Sequence, residues 1–121
     1  SEAIASDELL YAPLTQVTKN VIKASKGRVK AIYISNTNAA VRYFQLHNKA
    51  TAPAGTDVPL QSFPVPAGSA TAPGVLILDR NFFGEDSGDF DTGLGWAIST
   101  TFATFTDSAT NTEHIVEVLY E

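Results

Sequence analysis

Four carboxylates fall within seven residues at Glu85-Asp86-Ser87-Gly88-Asp89-Phe90-Asp91. A hard cation such as Ca²⁺ takes several oxygen ligands from one flexible loop, so Glu85, Asp86, Asp89 and Asp91 are the candidate metal ligands of the chain. Their register is not that of an EF-hand, which puts acids at positions 1, 3 and 5, Gly at 6 and Glu at 12; Gly93 follows Asp89 at the wrong offset. A solvated acidic loop is the plainer reading. His47 and His114 are far apart in the chain, and neither belongs to an H-x-x-x-H pair or adjoins a G-x-S-x-G elbow. They read as structural or surface histidines. No serine is spaced from a base and an acid in a way that marks a triad. Without cysteine there is no thiolate nucleophile, no Cys-ligated metal and no disulfide framework. The residue types point away from an enzyme and from any cofactor.

The charges are more informative than any single residue. Seven of the eight basic residues lie between positions 19 and 49 with no acid among them, whereas nine acids crowd the stretch from Asp79 to Glu121 beside the lone Arg80. A basic sheet interleaved with Tyr33, Tyr43 and Phe44 could track a nucleic-acid backbone and stack bases. The pI of about 4.8 weakens that reading, because nearby acids oppose phosphate binding. Complementarity between copies, or with a partner surface, is the alternative, with Lys19, Lys23, Lys26 and Arg28 as its contact residues.

The scaffold for these residues is read from alternation and turn signals. Leu14 to Ala24 and Arg28 to Ser35 alternate apolar residues around Ser25-Lys26-Gly27 and predict a hairpin. Val29, Ala31 and Tyr33 share one face of the second strand and Ile32 and Ile34 the other. After the turn Asn36-Thr37-Asn38, a strand over Val41 to Asn48 aligns Phe44 with Leu46 and completes a three-strand meander. Prolines at 53, 59, 64, 66 and 73 then leave room for a short strand at Leu60 to Val65. Val75 to Leu78 reads as a buried strand, Arg80 to Thr92 as a polar loop, and Trp96 to Phe105 as a half-buried strand. The last strand, from His114, points Val116, Val118 and Tyr120 one way and Glu117 and Glu121 the other. Ser6 could cap one helical turn ending before Pro13, and residues 1–13 read as an arm. Its Ile4, Leu9, Leu10 and Tyr11 are apolar residues that a free segment cannot bury, so they should dock on a neighbour; deleting residues 1–12 should then leave the domain folded.

These elements predict an all-β chain: an antiparallel β-sandwich or jelly-roll-like barrel of about seven or eight short strands over residues 14–121, preceded by the arm. At 121 residues and 44% hydrophobic, the chain buries roughly two-thirds of its unfolded surface, which is one core and one domain. No apolar run approaches the ~20 residues that span a bilayer, and Ser1 to Glu8 lacks the basic and apolar regions of a signal peptide. The expectation is a protein used where it is made, with no membrane partner.

Read in order, Lys26-Gly27-Arg28-Val29, Ile34-Ser35-Asn36-Thr37-Asn38, Asn48-Lys49-Ala50-Thr51-Ala52-Pro53 and Gly55-Thr56-Asp57-Val58-Pro59 resemble segments of small virion proteins of tailed bacteriophages. Thr92-Gly93-Leu94 leading to Ile98-Ser99, and the ending Val116-Glu117-Val118-Leu119-Tyr120, continue the likeness, which covers residues 20 to 121. It implies a non-enzymatic structural component of the particle, a β-sandwich that oligomerises on capsid or tail. A head decoration (cement) protein fits best. The resemblance implies binding to the major capsid protein and to copies of itself, as a trimer, on a virion assembled in the bacterial cytoplasm. A tail adaptor or fibre-associated domain is the second reading. A carbohydrate-binding module, with Trp96 or Tyr43 stacking on a sugar, is a third of a different class.

Overall fold

The computed structural model describes residues 8–84 and 89–121. The elements are β1 (Leu9–Tyr11), β2 (Lys19–Lys23), β3 (Gly27–Asn36), β4 (Arg42–Asn48), β5 (Gln61–Val65), β6 (Gly74–Leu78), α1 (Arg80–Phe83), β7 (Asp89–Phe90), β8 (Leu94–Ser99) and β9 (His114–Tyr120). Two antiparallel sheets face each other. The first has the order β1-β9-β3-β6, with β7 pairing the start of β3; the second has the order β2-β8-β4-β5. The pairing is nested: β1 with β9, β2 with β8, β3 with β6 and β4 with β5. The chain thus runs as one long hairpin wound into a sandwich, each strand of the first half lying beside one of the second.

Alternation explains the inner faces. Phe44 and Leu46 of β4, Trp96 and Ile98 of β8, and Val116 and Val118 of β9 are all buried between the sheets. The Trp96 ring stacks on Phe44 at 6.1 Å and meets Tyr11 edge-on at 6.0 Å. On β3 the strict alternation fails, because a register shift between Val29 and Ala31 inserts one residue. Such a bulge moves all following side chains to the other face, so Val29 joins Ile32 and Ile34 in the core while Ala31 and Tyr33 lie outside.

Four sequence expectations are corrected. The stretches at 19–23, 27–36 and 42–48 do not form a meander: β2 and β4 belong to one sheet and β3 to the other. The Ser25-Lys26-Gly27 turn is a corner between sheets, crowded enough that a Cβ on Gly27 would stand 3.0 Å from the Glu121 carbonyl oxygen and from Leu94 Cδ1. Leu9–Tyr11 is a strand and not part of a helical turn; it pairs with β9 of its own chain, and Tyr11 packs against the core. Ser6, like Ile4, lies outside the described residues. The strand begun at Trp96 stops at Ser99, and the segment to Phe105 folds back. The supposed polar loop after Leu78 holds α1, capped by Asp79 accepting from the Asn81 and Phe82 backbone N–H groups, and contributes Phe83 and Phe90 to the core.

Candidate interaction surface

The outer faces of the two sheets differ. Over the second sheet lies the segment from Thr100 to Asp107, with Gln45 at its centre: Nε2 donates to the carbonyls of Thr101, Phe102 and Thr104 at 3.0, 3.3 and 3.0 Å. Ser99 Oγ adds a bond to the Thr104 carbonyl and accepts from the Thr106 N–H. Phe105 is buried by this fold-back, edge-on to the His47 ring. As a result both faces of β8 are buried along its length.

The outer face of the first sheet has no such cover among the described residues. Register places Leu10, Leu119 and Ala31 in one row across the sheet, Glu117, Tyr33 and Ile77 in the next, and Ile115, Ser35 and Val75 in a third. Leu10 is 63% exposed and Ile77 66%, with Val75 and Ile115 also exposed. The first two rows line a shallow depression of about 230 Å³ with Asp79 at its rim. An apolar outer sheet face of this kind is the candidate contact surface of the described residues, since monomeric domains seldom expose adjoining large apolar side chains. Its chemistry is hydrophobic, with one carboxylate, Glu117, in the middle row.

The residues expected to form an interface from sequence divide in two. Leu10 is on this face, and Leu9 is exposed at the start of β1, but Tyr11 points inward. Val75 and Ile77, read as buried, are the residues sequence reasoning missed; they alternate onto the outer face of the first sheet, and nothing in Gly74–Leu78 says that this face is uncovered. Of the basic set, Lys19 pairs with Asp107 at 3.4 Å and lies 5.8 Å from the centre of the Phe105 ring. Arg28 reaches Asp89 at 2.5 Å and Glu121 at 3.4 Å. Lys30 faces Glu121, Arg42 pairs with Glu113 at 2.9 Å, and Lys49 with Asp57 at 2.7 Å. Arg80 holds Glu8. The two charge blocks therefore meet largely inside one molecule. Hydrogen bonds from Arg28 hold the Asp89 carboxyl below the usual range, and those from Lys49 do the same for Asp57. At Asp107 burial pushes the carboxyl up, but bonds from the Ala109 N–H, Thr18 and Lys19 outweigh it and the net direction is down.

Of the acidic loop, Asp89 is spent on Arg28, Asp91 is exposed, and Glu85 and Asp86 lie outside the described residues. Among the described residues no three His, Asp or Glu side chains converge where an ion would be held. Both histidines are buried. His47 Nε2 donates to Gln45 Oε1 at 3.0 Å and His114 Nε2 to the Val17 carbonyl at 2.7 Å. Burial lowers the pKa of each. Trp96 is fully buried and offers no face to a sugar; Tyr43 is half-buried against the Phe102 ring. No helix among the described residues is long and apolar enough to cross a membrane. Compared with protein-family models, with curated proteins and with solved structures, the chain finds no match in any of the three.

Proposed function

We propose that this chain is a non-enzymatic structural protein of a tailed-phage virion, a head decoration protein that binds the capsid surface together with copies of itself. The observation that carries the reading is the asymmetry of the sandwich. One outer face is covered over β8 and the middle of β4 by the chain's own Thr100 to Asp107 segment, while the other presents Leu10, Tyr33, Ile77, Val75 and Ile115 to the surroundings. Burying side chains of this kind on a neighbour is worth roughly 1.5–3 kcal/mol each before ordering costs, and a decoration protein needs such a surface. Two further points support it. The strand orders β1-β9-β3-β6 and β2-β8-β4-β5, with first and last strands paired, support reading the sandwich as a jelly roll, an architecture frequent in viral shells. The order of short segments along the chain resembles small phage virion proteins.

The test is cryo-electron microscopy of purified particles of the phage that encodes this chain. Many copies on the head, with the first sheet's outer face or edge in contact, are the expected result. A single ring of copies at the tail would replace decoration by an adaptor role, and absence from the particle would overturn the virion reading.

A further inference from the structure

Apart from the two-residue β7, the two open sheets have four edge strands among the described residues, each presenting unpaired main-chain groups to any strand that comes alongside. Three of the four are guarded. β1 is only three residues long. β2 begins and ends in lysine and has a register shift between Val21 and Lys23. β5 contains Pro64, which has no N–H to give, and Pro66 follows it. β6 is different. Its five residues, Gly-Val-Leu-Ile-Leu, include no proline and no charge, its register against β3 is unbroken, and Val75 and Ile77 are exposed. None of its main-chain groups bonds to a described residue other than those of β3.

We propose that β6 pairs antiparallel with β6 of a second copy, joining the two first sheets into one continuous sheet about a two-fold axis through Leu76. The occupant is a second copy because the strand is self-complementary in that register. With Leu76 opposite Leu76, Val75 faces Ile77 of the other chain and Ile77 faces Val75, two apolar cross-strand pairs on the exposed face. Gly74 faces Leu78, so no β-branched or aromatic pair is forced together at the ends. Charges agree as well: Asp79 and Arg80 fall opposite Pro73 and Ala72, so no like charges meet. An axis at Leu76 also suits either alternate set of outward N–H and C=O groups, since residues two apart on one strand then meet residues two apart on the other. The contact is isologous and closes at two. It makes the unit of assembly a dimer, in place of the trimer that the resemblance implies. It extends the apolar outer face across both copies, and it rests on strand geometry alone, independent of any virion role.

The experiment uses the full chain. Light scattering after gel filtration at micromolar concentration should give twice the chain mass, and Ile77→Lys, which puts a charge on the outward edge, should give the single mass with an unchanged circular dichroism spectrum. The chain has no cysteine, so Leu76→Cys supplies one thiol per copy. Directly opposed residues of an antiparallel pair stand roughly 4.5–5.5 Å apart at Cα, within disulfide reach, and mild oxidation should yield a covalent dimer. Ile115→Cys, on the same face but two strands away from the edge, is the control and should stay monomeric on a non-reducing gel. A monomer at all concentrations overturns the proposal. So does crosslinking through Ile115→Cys but not Leu76→Cys, which would mean face-to-face association. Failure of Leu76→Cys to crosslink until residues 1–7 are removed also overturns it, by showing that the chain's own N-terminal segment covers the edge.

Discussion

Replacing Glu113 by alanine should destabilise the protein more than any other single loss of charge. Glu113 sits in the 3₁₀ turn leading into β9, and Arg42 opens β4 on the opposite sheet, so their pair ties the two layers together at one end. Oε1 accepts from Arg42 Nε at 2.9 Å and Oε2 from Asn38 Nδ2 at 2.7 Å. The side chains are only 16% and 7% exposed. The Glu113 carbonyl also receives the Thr37 N–H at 2.8 Å and the Thr37 hydroxyl at 3.2 Å, which fixes the turn after β3 to the start of β9. Removing one member of a pair this enclosed strands the other charge in a poorly solvated place, at a cost of about 3–5 kcal/mol. A chain of this length has about 6–18 kcal/mol of stability in all. The expected fall in Tm is therefore about 10–20 °C, measured by thermal denaturation followed by circular dichroism and by urea titration. The double variant Arg42→Met with Glu113→Leu removes both charges and should recover most of the loss, because a well-packed apolar pair is often neutral relative to a buried ion pair. A Glu113→Ala cost below about 1 kcal/mol would place the pair with ordinary surface ion pairs and refute the argument that it joins the sheets.

Acid should weaken the fold in two stages. His47 and His114 are held neutral by burial, with folded pKa values below that of the unfolded chain, so the unfolded state binds more protons once the pH drops past about 6.5. Stability is complete above that pH and falls by up to about 1.4 kcal/mol per unit for each histidine until the folded values are passed; Asp57, Asp89 and Asp107, whose pKa values are lowered, add a second decline beginning near pH 4. Urea midpoints across about pH 2 to 8 check this, and a flat profile between about 7 and 5 would contradict it. Deleting residues 1–12 should cost stability, because it removes β1 and leaves the Tyr11 place beside Trp96 empty. Tyr11→Ala alone should cost about 3–5 kcal/mol if its ring is as well packed as a core aromatic, and an unchanged urea midpoint for both would restore the free-arm reading.

Period-two patterning made the inner faces of β4 and β9 legible, since Phe44 with Leu46 and Val116 with Val118 each fall two apart and are buried together. The all-β sandwich followed from the same patterning. What alternation does not encode is the partner of each strand. Lys19–Lys23 and Gly27–Asn36 look like a hairpin because their connection is short, yet the corner at Gly27 sends them into opposite sheets. The bulge between Val29 and Ala31 carries no composition signal, and one inserted residue was enough to bring Val29 and Ile32, assigned to opposite faces, onto the same one. The candidate surface was hidden for a related reason. Val75-Leu76-Ile77-Leu78 is as apolar as a strand covered on both faces, and only the packing, which leaves the outer face of the first sheet uncovered by the described residues, shows that Val75 and Ile77 face outward. Gln45 was equally silent, since its task of holding Thr101, Phe102 and Thr104 depends on a fold-back that no local pattern announces.

The segregation of charge along the chain is explained by the same topology. A nested hairpin lays the first half of the sequence against the second, so a basic first half and an acidic second half attract wherever they are brought together. Lys19 with Asp107, Arg28 with Asp89 and Glu121, and Arg42 with Glu113 are each a contact between halves, separated by between 61 and 93 residues. Exposed pairs among them contribute little apiece, but all favour the nested register over a local one, because within the stretch from Lys19 to Lys49 there is no acid with which a local hairpin could pair its cations. The charge pattern that suggests two separate binding ends in the sequence acts instead on the choice of fold. It leaves the outward apolar face of the first sheet, and the edge at β6, as the surfaces proposed for contact with another molecule.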